Sequence, residues 1–163
     1  MQKYIDLLLS GGADLAMKIN AETVKTAAWT VYRCHYGCDF YGKSHCCPPN
    51  SPTWKETREM LDCFEYGILF RSRKISDITS LAVGTARELF LDGYYKTMAF
   101  GSGPCTKCSP CNAEYCNFPY QAVPSMEGCG IDVFATVRAN NIAITTLRKK
   151  GELASFFGLI MVE

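Results

Sequence analysis

The sequence lacks the features that mark membrane proteins and nucleic-acid-binding proteins. Its longest apolar stretches, such as residues 156–162, fall far below the roughly 18 residues that a membrane-spanning helix needs. Lysine and arginine together number 17 and aspartate and glutamate 16, so the net charge is +1 and no dense basic stripe would attract nucleic acid. The first residues show no secretory signal pattern. These absences predict a cytoplasmic protein that binds neither membrane nor nucleic acid.

Nothing in the chain indicates more than one domain. No internal repeat and no low-complexity linker is visible. A length of 163 residues with 48% hydrophobic content suits one domain that can bury a core. We predict a single cysteine-rich domain over residues 1–163, in which residues 1–30 are a candidate N-terminal extension.

The pattern in the middle of the chain predicts an α/β fold. Apolar residues recur at helical spacing over residues 78–90, and Asp92 and Gly93 end this amphipathic helix. The apolar runs 66–70 and 94–100 on either side of it are typical of strands. A strand, a helix and a second strand in this order indicate a parallel pair.

Other segments complete the predicted fold. Ser51 as N-cap and Pro52 at the first helical position predict a helix that runs to about residue 62. The remaining predictions are a helical turn at 5–9, an extended segment at 27–32, a short helix at 130–139 and strands at 142–147 and 155–162. The predicted fold class is α/β, with a mixed four- to five-stranded sheet flanked by helices and two cysteine-rich metal-binding loops.

The chain is rich in cysteine, with ten residues. Thiols stay reduced in the cytoplasm, so metal coordination explains this number better than disulfides do. Eight of the cysteines fall into two groups, while Cys63 and Cys129 stand apart. The first group is Cys34, Cys38, Cys46 and Cys47, and the second group is Cys105, Cys108, Cys111 and Cys116.

The second group has the spacing of an iron–sulfur ligand loop. Bacterial ferredoxins use C-x2-C-x2-C-x3-C-P, whereas the last gap here is four residues and Pro119 comes three residues after Cys116. We predict that Cys105, Cys108, Cys111 and Cys116 hold a [4Fe-4S] cluster. The alternative is a structural zinc site, because four thiolates also suit tetrahedral zinc.

The first group offers three well-spaced thiols, Cys34, Cys38 and Cys47, and leaves one ligand position to fill. We predict that Cys129 fills it, because the start of a predicted helix favours a thiolate and an anionic cluster. Cys46 is the competitor, but adjacent residues rarely both reach one centre, so we interpret it as a spare or redox-active thiol.

Two further assignments concern the remaining cysteines. The fourth ligands of the two sites, Cys116 and Cys129, could be exchanged, since in two-cluster ferredoxins the fourth cysteine of a run serves the other cluster. We interpret Cys63 as a small hydrophobe that packs at the end of the helix predicted from Pro52 to about residue 62.

Polar and aromatic residues surround both groups. We interpret His35 and His45 as polar neighbours of the cysteines in preference to ligands. Glu127 and Asp132 flank Cys129 and either act as acid or base near an open iron or stabilise a helix start. Several aromatic residues either shield the clusters or belong to the core: Tyr32, Tyr36, Phe40, Tyr41, Tyr115, Phe118 and Tyr120.

Several segments taken together resemble one known family. They are Arg33-Cys34 through Gly37-Cys38, Tyr41-Gly42, Cys47-Pro48-Pro49, Gly103 with the second group, and the run from Pro124 to Asp132. From about residue 19 to the C-terminus, the chain is similar to the cysteine-rich predicted metal-binding proteins of domain of unknown function 2284. The resemblance implies metal binding of the iron–sulfur type in mostly anaerobic microbes, without a reaction. Cys46 and Cys63 match no motif of this family.

Three functions from different classes fit these features. The first is an iron–sulfur protein with two [4Fe-4S] clusters that transfers electrons to or from a redox partner protein. The second is an enzyme in which Cys34, Cys38 and Cys47 hold a cluster whose open iron binds substrate as a Lewis acid. The third is a zinc-binding structural or metal-delivery module.

Overall fold

Four antiparallel strands form the centre of the protein in a computed structural model that describes all residues from 1 to 163. The sheet has the order β1-β2-β4-β3, and every neighbouring pair is antiparallel. The predicted α/β class is confirmed, but the predicted mixed sheet is corrected to an antiparallel one. The strands are β1 (Leu15–Asn20), β2 (Tyr66–Ser72), β3 (Met98–Phe100) and β4 (Phe156–Met161).

Five helices accompany the sheet, together with two short 3₁₀ turns at Ala21–Thr23 and Glu127–Cys129. None of the helices combines the length and the apolar content that a membrane crossing requires. The helices are α1 (Gln2–Ser10), α2 (Ala28–Gly37), α3 (Trp54–Leu61), α4 (Ile75–Leu91) and α5 (Val133–Ala139).

The predicted strand-helix-strand unit exists as β2, α4 and β3, but its two strands are not neighbours. Strand β4 pairs with both of them and runs antiparallel to each, so β2 and β3 point the same way with β4 between them. The order of elements along the chain correctly predicted that β2 and β3 run in the same direction. It could not show that the C-terminal strand enters the sheet between the two.

The sheet separates two apolar layers because successive residues of a strand face opposite sides. In β2, Ile68 and Phe70 belong to the layer that contains α1 and α4, whereas Leu69 belongs to the other layer. That second layer includes the buried residues Met126 and Cys129. The segment around Cys129 is therefore fixed by the hydrophobic core.

The N-terminal region departs most from the prediction. Residues 28–32 are helical and not extended, because they belong to α2, and only Ala27, its N-cap, keeps the predicted extended backbone. Their β-branched and aromatic residues suit a strand by propensity, but packing decides the outcome. Ala27 N donates to Gly130 O at 2.8 Å, and Asp132 N donates to Lys25 O at 2.8 Å, so the start of α2 is held beside the second 3₁₀ turn.

Two predicted strands also differ in the structure. Residues 142–147 form no strand, and β3 covers only 98–100, because residues 94–97 turn back after α4. Residues 94–97 and 142–147 have the apolar content of strands, but neither segment pairs with a neighbouring strand. A strand needs a partner as well as a pattern.

Helix α3 begins two residues later than predicted. Thr53 is the N-cap: its Oγ1 accepts from Glu56 N at 3.3 Å, and its backbone N donates to the Glu56 carboxylate at 2.8 Å. This reciprocal capping box satisfies amides that the helix leaves free. Ser51, the predicted cap, instead donates from Oγ to Gly128 O at 2.7 Å.

A glycine lets α3 approach the second 3₁₀ turn. Gly130 has φ +81°, and a Cβ there would meet the Cβ of Trp54 and lie 2.5 Å from its Cα. Gly151 has a similar φ of +94°, but a Cβ there would meet nothing within 4 Å. The two glycines therefore share a backbone requirement and differ in steric room.

We expect Gly130→Ala to lower the free energy of unfolding by about 3 kcal/mol, because left-handed strain adds to a backbone clash. Gly151→Ala, the matched control, should cost about 1 kcal/mol from strain alone. Denaturant unfolding followed by circular dichroism measures both. Equal losses in the two variants would show that the close approach to Trp54 does not matter.

Candidate metal centre

The second cysteine group lies on a loop, residues 102–124, that leaves the end of β3 and returns beside it. Gly101 N donates to Pro124 O at 2.9 Å, and Met126 N donates to Gly101 O at 3.1 Å. A Cβ on Gly101 would clash with Thr79 of α4, so the loop begins in close contact with that helix. The loop is thus fixed at both ends.

The four cysteines of this loop border one narrow cavity. Cys105, Cys108, Cys111 and Cys116 all line it, and each is half-buried. The Nδ2 of Asn117 lies 3.9 Å from the Cys108 Sγ and offers it an N–H group. The structure therefore brings together the four thiols that the spacing predicts as one ligand set.

Cys46 is a fifth thiol on the same cavity. Burial raises the pKa of its thiol to about 12, and the neighbouring Cys105, Cys116 and Cys47 add to the rise. The metal-free protein holds this thiol protonated at neutral pH, so a metal that binds Cys46 has to displace the proton. The interpretation of Cys46 as a spare thiol missed this position.

His45 connects the turn that carries Cys46 to the cysteine loop. Its Nε2 lies 2.8 Å from Asn112 O, and because a carbonyl oxygen only accepts, Nε2 carries the proton and donates. This contact agrees with the predicted role of polar neighbour. His35 stacks on Tyr36 and Tyr41, with ring centroids 4.6 and 4.4 Å away.

Helix α2 presents two thiols of the first group. Cys34 lies in its last turn and Cys38 is its C-cap, so the i, i+4 spacing places both on one side of the helix. Cys34 is half-buried and Cys38 is exposed. Both border a second, larger pocket. The first group is therefore based on a helix end and not, as predicted, on a loop alone.

Cys47 completes this group from the turn that follows. Burial raises the pKa of the Cys34 thiol, Cys38, Glu127 and Cys47 raise it further, and Arg33 opposes them. Cys47 itself is buried. These neighbours bring together the three thiols that the sequence assigns to the first site.

Cys46 and Cys47 are adjacent in sequence but belong to different groups. Cys46 borders the cavity of the second group, whereas Cys47 lies near Cys34 and helps to raise the pKa of its thiol. Successive side chains of a non-helical segment diverge, so neighbouring cysteines can reach two centres. The Cys-Cys pair itself is the signal in the sequence that could have revealed this arrangement.

Cys129 is fully buried in the second apolar layer. Burial raises the pKa of its thiol to about 12, and Cys46 is the thiol that adds to the shift. Cys129 borders neither cavity and is not among the groups that act on Cys34. The 3₁₀ turn that contains Cys129 packs against α2, the helix of Cys34, but no contact assigns the thiol to either group, so its assignment to the first site stays a prediction.

The segment from Glu127 to Gly130, here called the 127–130 turn, touches both cysteine groups. A Cβ on Gly128 would lie 3.6 Å from Pro48 and 3.7 Å from the Cys46 carbonyl oxygen. Gly128 N donates to the Ser125 Oγ at 3.0 Å. With the contacts of Gly128 and Gly130 described above, this turn holds α2, α3 and the Cys46–Cys47 turn in place.

The two carboxylates near Cys129 have different roles. Asp132 caps α5, accepting from Ala135 N at 2.9 Å and from Trp29 Nε1 at 3.3 Å, which confirms the predicted stabilisation of a helix start. Glu127 lines the larger pocket with an exposed surface, yet the surrounding protein raises the pKa of its carboxyl group, with Arg33 opposing the rise. A side chain on the wall of a recess shows both properties.

Other predicted residues lie elsewhere. Cys63 is exposed and donates to Glu59 O at 3.5 Å, so its interpretation as a packed hydrophobe is wrong. The interpretation of the aromatic residues as core is also wrong for most of them. Those that are exposed are Tyr32, Tyr36, Phe40, Tyr115, Phe118 and Tyr120.

The spacing of the thiols bears on the kind of centre. No three histidine, cysteine, aspartate or glutamate side chains are positioned to hold one metal ion. A single zinc ion with thiolates at about 2.3 Å would draw the sulfurs to within roughly 4 Å of one another. The thiols of the second group border one common cavity, with Cys46 near enough to Cys105 for that thiol to raise its pKa.

Comparison with known sequences gives one match. A family described as predicted metal-binding protein, domain of unknown function 2284, matches residues 17–162. The match contains all ten cysteines. No curated protein and no solved structure matches the chain.

We expect Cys46→Ser to lower the metal retained per chain by up to half, because one of two candidate centres loses a thiol. Cys63→Ser is the matched control and should retain as much metal as the unchanged protein, since Cys63 lies apart from both groups. Elemental analysis after desalting measures the difference. Full retention in Cys46→Ser would exclude Cys46 as a ligand.

Proposed function

Since the chain belongs to the predicted metal-binding protein family, we propose that it is an iron–sulfur protein with two [4Fe-4S] clusters that exchanges electrons with a redox partner protein. The observation that carries the proposal is the division of the thiols. Five border one cavity, and three others gather where α2 meets the Cys46–Cys47 turn. Eight thiols in two groups are enough for two clusters.

The donor set suits iron–sulfur centres. Thiolates are soft ligands that bind such clusters as well as zinc, and five thiols outnumber the other donors, Ser44, His45 and Lys107, on the lining of the narrow cavity. A cluster of several atoms is larger than one ion, so its ligands stand further apart than those of zinc. The iron and sulfide analysis described below separates this proposal from the zinc alternative.

The second centre would be held by the loop cysteines, with Cys46 as a further thiol at the same cavity. When bound, the cluster supplies one-electron oxidation and reduction. The chain contributes half-buried thiols and an N–H group from Asn117 directed to Cys108, and such hydrogen bonds to ligand sulfur tune the potential.

The first centre would be held by Cys34, Cys38 and Cys47, with Cys129 as the predicted fourth ligand. Cys38 is exposed, which gives a partner protein access to this side of the molecule. Cys46 and Cys47 connect the two groups across one peptide bond, with about 3.8 Å between their Cα atoms. This short connection supports electron exchange between the two centres.

A second candidate function is an enzyme with an open iron at the first centre. The observation that favours it is the large pocket, which Cys34 and Cys38 border and Cys129 does not. Three thiols would hold the cluster, and the open iron would face the pocket. Glu127, on the same pocket, would be the acid or base.

We expect anaerobic reconstitution with iron and sulfide to give about eight irons and eight sulfides per chain, with a visible absorption that bleaches on reduction. Cys38→Ser and Cys108→Ser should each remove about half of the iron, because each affects one cluster. A colourless protein with stoichiometric zinc would overturn the iron–sulfur assignment. Iron lost completely in either variant would argue against two separate centres.

The variant Cys129→Ser distinguishes the electron-transfer function from the enzyme function. If Cys129 completes a cluster, its loss should change the iron content or the paramagnetic signal of the reduced protein. Cys129→Ala is the control for the buried hydroxyl that serine introduces, and circular dichroism checks the fold of both variants. Unchanged iron and an unchanged signal in both would leave three thiols at the first centre and favour the open iron.

A further inference from the structure

The pocket beside the first cysteine group has the dimensions of a small-molecule site. Its volume is about 890 Å³, within the range of about 300–1,000 Å³ that such sites occupy. Helix α2 contributes Arg33, Cys34 and Cys38 to its wall. Residues 143–147 and 152–157 contribute much of the remainder.

The lining combines apolar surface with a few polar groups. Phe134, Leu147 and Phe156 present apolar side chains, while Thr145 and Thr146 add hydroxyl groups. Leu147 exposes 57% of its surface, although it lies in a mainly apolar wall. A ligand with an apolar body would remove such surface from water.

Three arginines line the pocket, but two of them are already bound. Arg71 Nε lies 2.7 Å from one carboxylate oxygen of Asp14, and Arg73 Nε lies 2.8 Å from the other. Arg73 also donates to Ser155 Oγ at 2.8 Å. These two guanidinium groups hold the end of β2 beside Asp14, the residue that precedes β1.

Arg33 is different, because its guanidinium forms no ion pair and no hydrogen bond within the chain, in contrast to the four ion pairs that other side chains make. The positive charge of Arg33 opposes the rise in the pKa of the nearby Glu127 carboxyl group, but the two side chains form no ion pair. The planar N–H fork of an unpaired arginine matches a carboxylate, which it binds through two hydrogen bonds.

We propose that this pocket binds a small organic anion, with its carboxylate on Arg33 beside Cys34 and Cys38 and its apolar body against the wall that contains Leu147. Binding of this kind needs neither cluster, so the inference goes beyond the proposed function. A ligand held there lies next to the thiols of the first group. It would be the substrate that an open iron at that centre requires.

The test measures binding of three matched pairs of probes to the purified protein by calorimetry. The carboxylates are phenylacetate, 4-phenylbutyrate and octanoate, and each is compared with the corresponding alcohol. Each carboxylate that binds should do so at least about tenfold more tightly than its alcohol, because it adds charge-assisted hydrogen bonds. Failure of all three carboxylates to bind at millimolar concentration would overturn the proposal.

Variants locate the binding. Arg33→Gln should weaken carboxylate binding about tenfold or more and leave alcohol binding unchanged. Arg87→Gln is the matched control, because Arg87 is an exposed residue of α4 outside the pocket, and it should change neither. Leu147→Ser should weaken both probes about fivefold through lost apolar contact. Equal effects of Arg33→Gln and Arg87→Gln would contradict the assignment of Arg33.

Iron and sulfide are measured on the same samples, so this inference and the proposed function can fail separately. Carboxylate binding by a protein without iron would support the pocket and contradict the clusters. Full iron content with no carboxylate binding would contradict the pocket alone. Arg33→Gln that keeps its iron and loses carboxylate affinity would show that the effect arises in the pocket.

Discussion

The close packing of the 127–130 turn is the constraint on which the rest of the site depends. Gly130 makes it possible, because its backbone leaves no room for a Cβ against Trp54, while Gly128 faces Pro48 and the Cys46 carbonyl at ordinary contact distance. Hydrogen bonds from Ser51 and Ala27 fix the same turn to α3 and α2. Because protein interiors are closely packed, a side chain added at Gly130 would push α3 away from the turn that lies beside the cysteine groups.

The second organising feature is the divergence of Cys46 and Cys47. One thiol joins the loop that follows β3, and the other joins the end of α2, so a single turn contributes to both cysteine groups. His45 strengthens this turn by donating to Asn112 O in the loop. The two cysteine groups are therefore joined through one short turn of the chain.

Burial and metal binding are linked in this protein. The pKa values of Cys46 and Cys129 are raised to about 12 by burial first and by neighbouring thiols second. A thiol with a raised pKa stays protonated at neutral pH, so metal binding releases protons and is opposed as the pH falls. The exposed Cys38 and the unpaired Arg33 contrast with this buried interior, and they place the chemically accessible side of the protein at the larger pocket.

Local patterns in the sequence predicted three features correctly: α4 from its helical periodicity, β2 from its apolar run, and the grouping of Cys105, Cys108, Cys111 and Cys116 from their spacing. Each depends on residues close together in the chain, where pattern and structure share one period. Tertiary contacts settled four other features: β4 lies between β2 and β3, residues 28–37 are helical, Cys46 joins the second group, and Cys129 is buried in the core. These outcomes depend on contacts between distant segments, and no local pattern records which distant segment will supply the partner.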